Sequence, residues 1–202
     1  MLVSNAKNPD YGVHGPVSFI ERHYQQGGVW RGNTELPVSQ VLYALAIANR
    51  SQVIVETGMN NMAGASPWLV MAATVNGGWY HGIDIRPESI DKCREAVAGL
   101  FEEPRATLTL GDAVGLLPLL FQPETIDFLF VDDDHTYEHV EKEIAAFWPL
   151  MKQGGLMLFH DIVGVHESDI WPHLEKLGGI KLVNHAHRPD KPFGGLGLVV
   201  KR

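Results

Sequence analysis

Short apolar runs alternate along most of the chain with segments whose apolar residues recur at helical spacing. Val53-Ile54-Val55 predicts a buried strand, and Trp79–Asp84, Ala106–Leu110, Ile126–Val131 and the run from Gly154 to Asp161 predict four more. Between them lie helices. One begins near Thr34 and passes through Val41, Leu42, Leu45 and Ala48, and another starts at Ser66-Pro67, where serine suits a cap and proline the first turn. Pro87 opens a helix to about Leu100, and Thr136 is placed to cap a helix running to Met151, after which Gly154-Gly155 turns the chain into strand five. An earlier helix starts at Pro16, aligns Val17, Ile20 and Tyr24, and stops at Gly27-Gly28. Strand alternating with helix makes an α/β domain around a parallel sheet. The end differs: after a helix from about His166 to Leu177, Lys181–Asn184 and Leu196–Val200 are strands with only a polar loop between them, so they are hairpin-connected neighbours.

A chain of 202 residues, 45% hydrophobic and without a linker-like stretch, holds one sizeable core. It is read as one domain, 1–202, with 1–50 as an N-terminal helical cap and 51–202 as the cofactor-binding core. The net charge of -8 disfavours a phosphate backbone as partner and favours a small neutral or cationic molecule. Cys93 is the single cysteine, so no intrachain disulfide forms, and its place inside a helix predicts an inert thiol. With no apolar run of membrane length, the expectation is a soluble protein of the cytoplasm, without a membrane partner.

The polar residues that close the strands carry the chemistry. Glu56-Thr57-Gly58 ends strand one and Asp84 ends strand two, with a glycine loop and a helix between them. An acid at the end of strand two accepts hydrogen bonds from ribose hydroxyls in a doubly wound sheet, which points to a nucleoside cofactor. The dinucleotide fingerprint G-x-G-x-x-G is missing, since the loop reads Gly58-Met59-Asn60-Asn61-Met62-Ala63-Gly64, and a nicotinamide-dependent oxidoreductase is disfavoured. Later strands end in Gly111-Asp112-Ala113, Asp132-Asp133-Asp134-His135 and Phe159-His160-Asp161. Together these segments resemble class I S-adenosylmethionine-dependent methyltransferases. Asp132 to Val140, Pro149 to Gly155 and Phe159 to Ile162 narrow the resemblance to the small-molecule O-methyltransferase group that includes macrocin O-methyltransferase and cephalosporin hydroxylase-like proteins. It spans about Thr34 to Val200, with one departure: the family usually has three residues between the loop glycines, and here there are five.

The resemblance implies a Rossmann-like doubly wound sheet, mostly parallel with an antiparallel last strand, and S-adenosylmethionine as cofactor. It implies cofactor contacts at Glu56, Gly58, Gly64, Ser66, Asp84, Asp112, Ala113 and Asp132, with N-terminal helices that cover the substrate side or form a homo-oligomer contact. Each residue also has a plainer reading: turn glycines at Gly58 and Gly64, a solvated turn at Asp84, a helix cap at Asp112. Three successive acids repel unless water, a cation or basic groups share their space. If strands four and five are adjacent, Asp132 and Asp161 reach one divalent ion, as in metal-dependent relatives such as catechol O-methyltransferase. That enzyme follows the second aspartate with an amide ligand. Ile162 stands here, leaving His160 or Asp134 to substitute, or a site without metal.

The candidate catalytic groups are His135, His160 and Asp132, because an imidazole near neutrality can take a hydroxyl proton. His139 is read as a helix-surface residue, and His185 and His187 sit in a last loop that can reach the crevice. Two functions stay open: methyl transfer to a small hydroxylated acceptor with Mg²⁺, and a non-catalytic nucleoside-binding or regulatory module of the same fold. In either case duplex DNA or RNA is expected to bind weakly and without sequence preference at physiological salt. A gel shift with tight, sequence-selective binding would exclude the small-molecule reading.

Overall fold

The computed structural model describes residues 34–60, 64–98, 104–164, 167–184 and 194–202. The helix expected at Pro16, and His185 and His187, lie outside the described residues. Seven strands form one sheet: β1 (Val53–Thr57), β2 (Trp79–Asp84), β3 (Ala106–Leu110), β4 (Ile126–Val131), β5 (Met151–Val163), β6 (Ile180–Val183) and β7 (Gly194–Val200). Their order is β3-β2-β1-β4-β5-β7-β6. The first five strands pair in parallel, whereas β7 runs antiparallel to both β5 and β6. This is the mostly parallel Rossmann-like sheet with an antiparallel last strand that the sequence leads one to expect.

Burial explains the apolar runs. β1 lies between β2 and β4 and is covered on both sides, so Ile54 enters one core and Val55 the other. The first core is closed by α1 (Leu36–Ala48), α2 (Ser66–Val75) and α3 (Pro87–Ala98). The second is closed by α4 (Ala113–Leu120), α5 (Tyr137–Phe147) and α6 (Glu167–Lys176). Every residue of α2 from Ser66 to Ala73 is buried, because α1 packs over it while the sheet lies beneath. Cys93 faces this core, fully buried. Burial first and the Glu56 carboxyl second push its thiol up to about 12, which leaves it inert. Among the described residues no helix is long and apolar enough to cross a membrane.

Several local expectations change. Ser66 does not cap α2; it is the first helical residue, Ala65 occupies the cap position, and the serine side chain turns inward. Thr136 takes the cap position of α5 without a side-chain cap bond. That helix ends at Phe147 rather than Met151, because Pro149 cannot donate to a helical ladder, and Trp148–Leu150 form a 3₁₀ turn instead. β5 therefore begins at Met151. Gly154, at φ +77°, lies within the strand, and the pairing with β4 jumps from Ile126↔Met151 to Phe128↔Leu156. A second irregularity, between His160 and Val163 in the pairing with β7, coincides with a left-handed backbone at Asp161, φ +53°.

Gly58 follows β1 at φ +73°, and a Cβ there would stand 2.2 Å from the Asp132 carbonyl oxygen. The loops after β1 and β4 pack backbone to backbone, and only hydrogen fits between them. Gly58→Ala is expected to cost about 2 kcal/mol or more in urea unfolding, from left-handed strain plus backbone displacement. Gly154→Ala, with nothing within 4 Å of its Cβ, should cost about 1 kcal/mol from strain alone. Equal losses at the two positions would show that Gly58 is chosen for its backbone angle and not for close approach.

Candidate functional site

Parallel pairing sets β4 beside β5 with Val131 opposite Phe159, so Asp132 emerges next to His160 at the carboxyl ends of the strands. In a regular strand His160 and Asp161 would point to opposite faces. The left-handed turn at Asp161 removes that alternation and brings both side chains into one cluster. His160 Nδ1 stands 3.0 Å from Asp132 Oδ1 and 3.2 Å from Asp161 Oδ1, and His160 Nε2 lies 2.6 Å from Glu35 Oε2. Both ring nitrogens thus face carboxylates, and only the imidazolium has an N–H at each. Burial works to neutralise His160, but Asp132 first and then Glu35 and Asp161 outweigh it and hold its pKa well above the ordinary value. Burial raises the Asp161 carboxyl, partly offset by the charge on His160.

His135 completes the group, with Nε2 3.4 Å from Asp161 Oδ2 and 3.8 Å from Asp132 Oδ1. Thr34 Oγ1 donates to Asp132 Oδ2 at 3.3 Å. Ligand atoms of Asp132, His135 and Asp161 lie within 4.8 Å of one another, as do those of Glu35, His160 and Asp161. Two carboxylates and an imidazole of this kind fit a divalent cation that keeps some of its waters. The structure therefore brings Asp132, His135, His160 and Asp161 together, and Ile162 points into the second apolar core.

The run of three acids is tolerable because its members part company. Asp132 belongs to the cluster just described. Asp133 turns towards α5, where Oδ1 lies 3.7 Å from His139 Nε2, and Asp134 Oδ1 accepts from the Thr136 amide at the start of that helix. Burial opposes the Asp133 carboxylate, but hydrogen bonding with His139, and with Glu143 while that acid holds a proton, keeps its pKa low. Asp133 in turn raises His139, chiefly through their hydrogen bond and against the downward pull of burial. Burial first, then the nearby Asp133 charge, pushes Glu143 up to about 11. His139 is thus part of a polar cluster rather than a simple surface residue.

The residues expected to hold a nucleoside line up along β1, β2 and α4. Asp84 is buried and already accepts from the Asn60 amide at 3.1 Å, the Arg86 amide at 2.9 Å and Arg86 Nε at 3.3 Å. A carboxylate offers about four lone-pair directions, so among the described residues one remains. Asp112 caps α4, its Oδ1 accepting from the Val114 amide at 3.0 Å, and Ala113 is the buried first residue of that helix. Gly64 offers its carbonyl to the Ser39 hydroxyl at 3.4 Å. Glu56, expected at the cofactor, has its carboxyl bonded to the Tyr80 hydroxyl. Burial pushes it up to about 8, against the downward pull of Tyr80 and of Ser66, which faces it without a well-aligned hydrogen bond.

Thr34 and Glu35 were not singled out by sequence. The signal lay in the cap of α1, where Glu35 holds a position that usually prefers Ser, Thr, Asp or Asn and makes no cap bond there. An acid that does not cap its helix has another partner, which here is His160.

A family model described as a methyltransferase domain matches residues 55–162, more than half of the chain. No curated protein matches it. Among solved structures, an O-methyltransferase from Bacillus cereus in complex with SAH superposes with a TM-score of 0.71 at 15% identity, covering 96% of this chain and 94% of that one. The O-methyltransferase TomG from Streptomyces achromogenes, involved in tomaymycin synthesis and solved with SAM, gives 0.67 at 18% identity over 96% and 94%. A methyltransferase from Geobacter sulfurreducens gives 0.64 at 19% over 93% and 89%. Identities this low show a shared fold.

The charge on His160 has a measurable consequence. Its folded pKa lies above the unfolded value, so its contribution to stability is complete below a pH of about 6.5 and is lost as pH rises through the folded pKa. His160→Gln should cost about 3 kcal/mol at pH 6, leaving three acids around a neutral group, and progressively less above neutrality. Urea unfolding across this range checks it; a mutant deficit independent of pH would mean that His160 is neutral in the fold.

Proposed function

The chain belongs to the methyltransferase-domain family, and on that footing we propose that it transfers a methyl group from S-adenosylmethionine to a hydroxyl oxygen of a small molecule, assisted by Mg²⁺. One observation carries this reading. Glu35, Asp132 and Asp161 bring three carboxylates to one point at the carboxyl ends of β4 and β5, against the single charge of His160. The excess of acid favours a further cation beside the crevice where ligands of such sheets bind.

Cofactor and acceptor take different parts of that crevice in this reading. Asp84 has one acceptor direction left among the described residues for a ribose hydroxyl, beside the loop that starts at Gly58. Asp112 and Ala113 border the adenine at the start of α4. Asp132 and Asp161 would hold Mg²⁺ through carboxylate oxygens, and the ion would lower the pKa of the acceptor hydroxyl and fix its orientation. His135 is the group placed to take the hydroxyl proton, because its Nε2 is at the edge of the cluster. His160 already carries a proton on each nitrogen and serves as fixed charge. Most of the catalysis then comes from holding a desolvated oxygen in line with the sulfonium methyl. A metal-free reading has support of its own, since the His160 imidazolium lies between Asp132 and Asp161 where a cation would sit.

The test has a binding arm and a turnover arm. Calorimetry should show S-adenosylmethionine binding to the wild type and roughly tenfold to a hundredfold weaker binding to Asp84→Ala, the loss of a charged hydrogen bond. Tight NADH binding with none for S-adenosylhomocysteine would overturn the cofactor. Methyl transfer to catechols, phenols and sugar hydroxyls should need Mg²⁺, stop with EDTA, and be abolished by Asp161→Ala while cofactor binding persists. Turnover indifferent to EDTA and to Asp161→Ala would remove the metal and leave His135 as a metal-independent base. A crevice shown to admit neither metal nor acceptor would favour a non-catalytic nucleoside-binding module.

A further inference from the structure

A second group of ligating side chains lies on the α5 side of the same strand ends. We propose that Asp133, His139 and Glu143 form a separate divalent transition-metal site, suited to Zn²⁺, independent of the methyl-transfer reading.

Three observations converge on it. One ligand atom from each residue lies within 4.8 Å of the others. His139 and Glu143 stand one turn apart on α5, so both side chains project from one face, and Asp133 comes to them from the loop after β4. Glu143 is fully buried, and neither of its oxygens accepts a hydrogen bond from any described residue. Its Oε1 faces His139 Nε2 at 3.8 Å. A buried carboxylate without a donor is costly, and two carboxyls this close share either a proton or a cation.

The geometry suits the cation. Tetrahedral ligands about 2.1 Å from zinc stand about 3.4 Å apart, and the two edges at His139 Nε2, 3.7 Å to Asp133 and 3.8 Å to Glu143, need only a small contraction. Asp133 Oδ1 also accepts from the Asp134 amide at 2.8 Å, which orients the carboxylate. Asp133 and His139 side chains are about a quarter exposed while Glu143 closes the floor, so an ion enters from solvent and keeps a water as fourth ligand. One imidazole and two carboxylates favour Zn²⁺ over Mg²⁺, which prefers oxygen throughout.

Titration of the metal-free full chain with Zn²⁺, followed by calorimetry, decides the matter. The wild type should take up one equivalent more than His139→Ala, a substitution that helix propensity tolerates at a part-exposed site. Asp161→Ala should retain that equivalent, separating it from the cluster proposed for methyl transfer. Glu143→Gln keeps the buried shape and should weaken the site at least about tenfold. Co²⁺ as a probe should give visible absorption bands that disappear in His139→Ala. Identical stoichiometry and affinity in the wild type, His139→Ala and Glu143→Gln would overturn the site, as would Zn²⁺ uptake lost in Asp161→Ala but kept in His139→Ala. In that case Glu143 and Asp133 share a proton and nothing more.

Discussion

A buried imidazolium shared by three carboxylates holds the carboxyl end of this sheet together. At the 2.6 Å to 3.2 Å separations of His160 from Glu35, Asp132 and Asp161, each pair attracts by about 5 kcal/mol at an effective dielectric near 20, before desolvation is counted. Desolvation takes back much of that, so the cluster is better seen as a constraint than as a store of stability. No member can leave without stranding charge among the others. The members come from three segments: Glu35 from the cap of α1, Asp132 from the residue after β4, His160 and Asp161 from β5. The cluster therefore fixes where α1 lies over the sheet and holds the left-handed residue at Asp161 in place, a backbone angle that costs about 1–2 kcal/mol on its own.

The same constraint explains how Asp132-Asp133-Asp134 can follow a buried strand. Repulsion among three adjacent carboxylates is relieved by sending each to a different partner. Asp132 goes to His160 and His135, Asp133 to His139 and Glu143, and Asp134 to the amide of Thr136 at the cap of α5. An acidic triplet that is continuous in sequence is the junction of two polar clusters, one on each side of the strand ends. His135 and His139 are one helical turn apart in sequence yet serve different clusters.

Much of the architecture was legible because it depends on burial and period. The apolar runs at Val53–Val55 and Ile126–Val131 lie in the middle of the sheet, and the lack of a helix before the last strand marks the antiparallel β7. The convergence of Asp132 with Asp161 and His160 also followed from strand adjacency. What escaped depends on contacts distant in sequence or on backbone irregularity. Glu35 reaches His160 across 125 positions, and no local pattern encodes that pairing beyond the oddity of glutamate as a cap. Pro149 was a visible helix terminator, but its consequence, a β5 that starts at Met151 with a glycine bulge inside it, depends on where Ile126 finds a partner. Glu56 was expected at the cofactor, and its bond to the Tyr80 hydroxyl, two positions along β2 from Gly82, carried no local signal.

The first glycine of the loop shows how packing and chemistry meet. Gly58 is bare because the Asp132 carbonyl lies against it, and the Asp132 amide in turn donates to the Thr57 carbonyl at 3.0 Å. On the other side the Gly58 amide donates to the Ile83 carbonyl, next to Asp84, whose carboxylate accepts from Asn60 in the same loop. One short turn is thus bonded both to the acid that ends β2 and to the acid that begins the His160 cluster. A ligand held at Asp84 and a group held at Asp132 share a rigid backbone span between them, with no side chain to give way. Close approach of two reacting groups requires that kind of fixed separation. Here it comes from a missing methyl group, so the packing at the glycine is also what sets the spacing of the two acids.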